Sequence, residues 1–185
     1  MNKLKSLIAA LALVLSLNTI GFAQSTDFQK YRFMEIGAEY SLRTGWDGQA
    51  GFFFIYGKQR SPIYSQGWGI GVNYFWESYK NTYHGKSYYT NELRLPIFSE
   101  WRFNFSKSDN PFFCNIRTGV NIMLTDFDPE GIGLQLGIGV GKSFNLSSAS
   151  ISPFVRGEYC HQMGMGSPGY SYSEWGIGLG VSVRF

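Results

Sequence analysis

The stretch EWGIGLGVSVRF, residues 174–185, alternates without a break. Trp175, Ile177, Leu179, Val181, Val183 and Phe185 are apolar; Glu174, Gly176, Gly178, Gly180, Ser182 and Arg184 are small or charged. A period of two places the first set on one face of an extended strand and the second on the other. A helix would scatter both sets around its axis. The same alternation recurs upstream. Trp68, Ile70, Val72, Tyr74 and Trp76 interleave with Gly69, Gly71, Asn73, Phe75 and Glu77. Leu93, Leu95, Ile97, Trp101, Phe103 and Phe105 interleave with Glu92, Arg94, Glu100, Arg102 and Asn104. Ile132, Leu134, Leu136, Ile138 and Val140 interleave with Gly133, Gln135, Gly137, Gly139 and Gly141.

Eight such segments are predicted: 31–43, 49–58, 67–80, 88–105, 112–123, 132–144, 151–162 and 172–185. Between them lie TGWDG, QRSPIYSQ, NTYHGKS, SKSDNP, LTDFDPEG, NLSSAS and MGMGSPGYS, rich in the Gly, Pro, Asn, Asp and Ser that turns require. Helical periodicity is absent after the first 23 residues. The fold class is therefore all-β. One segment leaves its facing open: GFFFIYG (51–57) is apolar on both parities. Pro96 interrupts the fourth segment, but the apolar parity is the same before and after it. A local kink without a change of register is expected there.

The first residues set the compartment. Lys3 and Lys5 precede an apolar run over 7–17, and Gly21 and Ala23 are small residues at the positions a signal peptidase reads. Cleavage after Ala23 is expected, leaving 24–185 as one exported domain. The run is shorter than the ~20 residues of a spanning helix. The formal charge of +3 falls to +1 once Lys3 and Lys5 are removed, so no nucleic-acid partner is implied. Two cysteines, Cys114 and Cys160, are too few for a disulfide framework, and parity puts them on opposite faces, unpaired.

Which face is buried decides the class. Arg32, Lys58, Lys80 and Lys142 share the apolar parity, each at a segment end. Glu35, Glu39, Arg43, Glu77, Glu92, Arg94, Glu100, Arg102, Arg117, Arg156, Glu158, Glu174 and Arg184 share the other. A cation at a bilayer midplane costs ~2–4 kcal/mol and near the interface ~0–1. An apolar face toward lipid and a charged, glycine-rich face toward a narrow lumen fit that sorting. Aromatics at the ends of the apolar rows form two candidate girdles: Trp68, Phe105, Phe112, Phe144 and Phe185 at one, Tyr40, Trp76, Tyr89 and Trp175 at the other. The expected fold is an eight-stranded antiparallel up-and-down transmembrane β-barrel. An inward apolar face would instead make a soluble periplasmic barrel for an apolar ligand, and that alternative stays open here.

An eight-stranded barrel is just wide enough for side chains to fill. Near-balanced acids and arginines are expected to pair there, centred on Glu92, Arg94, Glu100, Arg117, Arg156 and Glu158, with Glu35, Glu39 and Arg102 in the same network. Glycines on the third, sixth and eighth strands are expected to make room for the arginines. No continuous pore is expected.

The alternating pattern, together with ELRLPIFSEWRFNFSKSDNPFFCNIRTGVNI, resembles the small outer-membrane barrels of the OmpA/OmpX type and the broad porin-like outer-membrane β-barrel family. The resemblance implies a location in a Gram-negative outer membrane, with outer-membrane lipid as solvent and a monomeric state. It also implies that Val181, Val183 and Phe185 form the signal read by the barrel-assembly machinery. Ligands of the outer loops are not legible.

Other motifs fail on spacing. GIGVGKS (137–143) has Leu136 where a phosphate loop needs its first glycine. Asp126, Asp128 and Glu130 have calcium-loop spacing, but Gly137 stands where the bidentate Glu should be. His84 and His161 have no nameable catalytic partner, and Met163 stands where a His-x-Ser pattern needs serine. No cofactor, metal or catalytic residue is assigned, and a barrel enzyme acting on lipid is the least favoured class.

Overall fold

A computed structural model describes residues 31–44, 46–77, 90–125, 128–164 and 171–185. The expected signal peptide (1–23), His84, Tyr89, Asp126, all of NTYHGKS and most of MGMGSPGYS lie outside the described residues, as do the side chains of Glu77, Asp128 and Glu130.

Eight long strands form the wall: β1 (Arg32–Arg43), β2 (Trp46–Ser61), β3 (Tyr64–Glu77), β4 (Thr90–Asn104), β5 (Phe112–Thr125), β6 (Asp128–Lys142), β8 (Ser150–Gly164) and β9 (Ser171–Arg184). A two-residue strand, β7 (Phe144–Asn145), pairs with the start of β8 in the turn after β6. Each long strand pairs antiparallel with its sequence neighbours, and β1 pairs with β9, so the sheet closes on itself. Closure also uses the last residue. The Phe185 N–H donates to the Met34 carbonyl at 2.8 Å, and the Met34 N–H donates to the Phe185 carbonyl at 3.1 Å.

The pairing also sets the tilt. Stepping from strand to strand, Phe33 faces Gly57, then Gly67, Glu100, Arg117, Gly137, Glu158, Gly176 and finally Arg43. The circuit returns to β1 ten residues beyond its start, at position 43 instead of 33. That stagger tilts the strands, typically by about 35–45° in such barrels.

Alternation places side chains as the pattern requires. On β1, Phe33, Glu35, Gly37, Glu39, Ser41 and Arg43 point inward and are buried, while Met34, Ile36, Tyr40 and Leu42 are exposed outside. The open facing of β2 is resolved: Phe53 and Ile55 point in, and Phe52, Phe54 and Tyr56 point out. Pro96 points inward against Gly71 of β3. The β3–β4 ladder is interrupted between Ile70↔Ile97 and Asn73↔Arg94, yet the register on both sides is the same, so the missing N–H costs pairing and not phase. The turns are tighter than their composition suggests. Pairing runs up to Ser61↔Tyr64, leaving Pro62 and Ile63 between β2 and β3.

The interior carries phenylalanines as well as charge. Phe33, Phe53, Ile55, Phe98, Phe113 and Phe154 form a buried cluster. Each of these five phenylalanines has a glycine directly opposite on a neighbouring strand: Gly57, Gly37, Gly69, Gly141 and Gly180 respectively. A Cβ at any of these glycines would overlap the ring. The lumenal glycines thus serve phenyl rings as well as the long charged side chains for which room was expected. Gly176 and Gly137 do face Arg43 and Arg156, but the phenylalanine seats are the larger group. Gly69→Ala is expected to destabilise the barrel by ~1–3 kcal/mol through overpacking against Phe98. Gly157→Ala, where nothing lies within 4 Å, should stay within about 0.5 kcal/mol of wild type. Denaturant unfolding in detergent micelles compares them, and equal losses would contradict the seating.

Candidate functional site: the charged lumen

Inside the wall, six described glutamates (Glu35, Glu39, Glu92, Glu100, Glu158, Glu174) face six arginines (Arg43, Arg94, Arg102, Arg117, Arg156, Arg184). Strand alternation aims them inward, and the stagger of the wall stacks them in three tiers along the axis.

At the tier farthest from the termini, Arg94 makes a two-pronged contact with Glu174, Nη1 to Oε2 at 2.6 Å and Nη2 to Oε1 at 2.7 Å, and also pairs with Glu92. The planar guanidinium fork allows that geometry. Arg43 pairs with Glu158 and donates to Gln49. Gly176 lies between Arg43 and Glu158 in the sheet, so no side chain stands between the partners.

In the middle tier, Glu100 faces three guanidiniums: Arg117 at 2.9 Å, Arg156 at 3.4 Å and Arg102 at 3.6 Å. Arg156 also donates to Glu39 at 2.5 Å. In the tier nearest the termini, Glu35 accepts from Arg102 at 2.6 Å, from Arg184 Nε at 2.9 Å and from the Ser182 hydroxyl at 2.6 Å. A vestibule of about 200 Å³ opens beyond it, lined in part by Gln59, Arg102, Asn104, Ser143 and Arg184.

Each arginine also lies over a phenyl ring. The guanidinium carbon sits 3.8 Å from the Phe75 centroid for Arg94, 3.9 Å from Phe98 for Arg117, and 3.9 Å from Phe33 for Arg184. Arg102 lies over Phe113, Arg156 over Phe154, and Arg43 more distantly over Phe75. Cation–π contacts add to the ion pairs, most where water is excluded. The ring partners were missed by sequence reasoning, although their parity with the arginines was readable.

The girdle candidates separate to two ends. Phe105, Phe112, Phe144 and Phe185 are exposed near the termini, with Lys142 Nζ 5.0 Å from the Phe112 ring and 5.3 Å from Phe144. Trp68 sits deeper on the outer wall, packed beside Ile97 against Val120 and Ile132. At the other end Tyr40 lies 5.9 Å from Trp76, and Trp175 lies 4.6 Å from Tyr159. Val181 is exposed and Val183 half-buried, both outward. Cys114 and Cys160 are free, and the Cys160 thiol accepts from Asn121 and Gln162 in the lumen.

One contact sequence reasoning did not find is on the outer wall at the end opposite the termini. His161 Nδ1 and the Tyr159 hydroxyl each lie 3.0 Å from the Ser173 hydroxyl. Serine activation needs a base that is itself held by a third group. Among the described residues no carboxylate reaches His161, since the glutamates with described side chains all point into the lumen. The described residues hold no group of three or more His, Cys, Asp or Glu placed for a metal.

No protein-family model matches the sequence, and no curated protein matches it. Among solved structures, the crystal structure of Neisserial surface protein A superposes with a TM-score of 0.59 at 12% identity, covering 85% of this chain and 98% of that one. The chain shares that fold, an eight-stranded antiparallel membrane β-barrel. The N-terminal barrel domain of Pseudomonas aeruginosa OprF is a more distant match, at a TM-score of 0.40 and 15% identity, over 85% of this chain and 100% of that one.

Glu100→Gln is expected to cost ~3–5 kcal/mol, because it leaves neighbouring buried guanidiniums under-compensated. Combining it with Arg117→Met should recover part of that loss. Unfolding midpoints in detergent test both, and an unaffected single variant would remove Glu100 from the centre of the network.

Proposed function

We propose that the chain is an integral barrel of a bacterial outer membrane, with a side-chain-filled lumen and a structural or surface-interaction role carried by the four loops opposite the termini. One observation carries this reading: the wall is apolar outside and ionic inside. Ile36, Phe52, Ile70, Ile138, Ile177 and Leu179 are each more than half exposed, whereas Arg94 and Arg156 are 0% and 1% exposed. A soluble barrel for an apolar ligand needs the reverse, large apolar groups lining an open interior. Here the interior phenylalanines are spent on glycines and guanidiniums.

The likeness to a Neisserial surface protein supports the fold of this proposal, and at 12% identity it supports nothing finer. In this proposal the termini face the periplasm, as the resemblance to OmpA/OmpX-type barrels implies. In that orientation Val181, Val183 and Phe185 present their outward row to lipid, consistent with recognition by the barrel-assembly machinery. Export with cleavage after Ala23 and a non-catalytic role belong to the same proposal.

Heat-modifiable migration tests the membrane reading. The detergent-purified chain 24–185 should run at a different apparent size in SDS before and after boiling, and a chain that stays folded and dispersed without detergent would overturn the proposal. An epitope inserted near Gly85 or Gly166 should be reached by antibody on intact cells. Labelling only after permeabilisation would invert the orientation.

A further inference from the structure

Three cations on the outer wall have no counter-charge among the described residues. Arg32 of β1 lies directly opposite Lys58 of β2, and Arg60 follows two residues along the same face. Among the described residues none of the three makes an ion pair. Like charges opposite one another in a sheet are destabilising. The lumen shows how this chain handles arginine elsewhere, with every buried guanidinium against a carboxylate. Among the described side chains no carboxylate lies on the outer wall. Asp109, with its side chain exposed, is in the turn between β4 and β5.

The surroundings of these cations are graded. A pocket of about 190 Å³ is lined by Tyr56, Lys58, Arg60, Gln66 and Trp68, with Gln66 opposite Lys58. Tyr56 lies opposite Trp68 one step deeper along the wall. Deeper still, Ile36, Phe54 and Ile70 form an exposed apolar row across the same three strands. Charge, then amphipathic rings, then hydrocarbon is the polarity profile of one phospholipid molecule, read from phosphate to chain.

We propose that this face of β1–β3 is a binding site for a phospholipid with a net negative headgroup, in the leaflet that bathes the terminus-bearing end. The phosphate sits among Arg32, Lys58 and Arg60, the ester level against Tyr56 and Trp68, and an acyl chain over Ile36, Phe54 and Ile70. Net charge selects the headgroup class. A zwitterionic lipid brings the same phosphate but adds a fourth cation to the three present. Lys142, the other described cation of the outer wall, is engaged by Phe112 and Phe144 on the far side of β5–β6 and serves as the comparison.

The site rests on the membrane reading, and native mass spectrometry separates the two. The full mature chain in detergent is mixed with equal amounts of phosphatidylglycerol and phosphatidylcholine carrying the same chains. The one-to-one adduct with phosphatidylglycerol should exceed the other about fivefold, the weight of one cation near a membrane surface. Lys58→Gln/Arg60→Gln should bring the ratio close to one, and Lys142→Gln should leave it unchanged. In the wild-type chain, raising the salt should lower the preference, which needs no variant to fold. Equal binding of both lipids by wild type, or a preference that survives Lys58→Gln/Arg60→Gln, overturns the site while leaving the barrel reading intact. A chain soluble without detergent that retains neither lipid overturns both.

Discussion

A guanidinium enclosed in a narrow β-barrel must have a carboxylate within reach, and this requirement organises the molecule. Removing a charge from water costs several kcal/mol unless an opposite charge and hydrogen bonds compensate. The described lumen meets the condition with six acids and six arginines, and Glu100 sits where three guanidiniums converge. The wall serves that pairing. Its ten-residue stagger brings Glu100, Arg117, Glu158 and Arg43 onto one circuit, and glycines at 137 and 176 fall between them.

The phenylalanine seats solve a second problem of the same space. Arginine heads need neighbours that fill volume without competing for their hydrogen bonds, and a phenyl face adds attraction as well as bulk. A ring can lie flat across the sheet only where the residue opposite lacks a Cβ. Glycine, aromatic and arginine thus recur together: Gly69, Phe98 and Arg117 are one such group, and Gly57, Phe33 and Arg184 another. Outside, the same alternation leaves large apolar side chains exposed among the described residues, as a wall facing hydrocarbon requires.

Parity was legible in the sequence because a period of two survives every turn within a strand. It assigned Glu35, Arg94, Arg156 and Glu174 to the interior and Ile70, Leu136 and Leu179 to the exterior, and the strands fall close to their expected limits. Partnership was not legible. Arg43 meets Glu158 and Arg156 meets Glu39 across sequence separations of 115 and 117 residues, set by a stagger that no local pattern encodes. The 51–57 segment shows a further limit. With apolar residues on both parities, only its pairing with β1 and β3 decides that Phe53 turns inward to the Gly37 seat. The contact of His161 with Ser173 was hidden for the same reason, because it forms only when β8 and β9 pair in register.

The central claim is that ion pairs and phenyl rings close the lumen to solutes, and planar-bilayer recording of the purified wild-type barrel tests it most directly. Little or no steady conductance is expected after insertion. Large, stable single-channel currents from the wild-type chain would show a continuous aqueous path, and a packed, charge-paired interior could not then be the functional state.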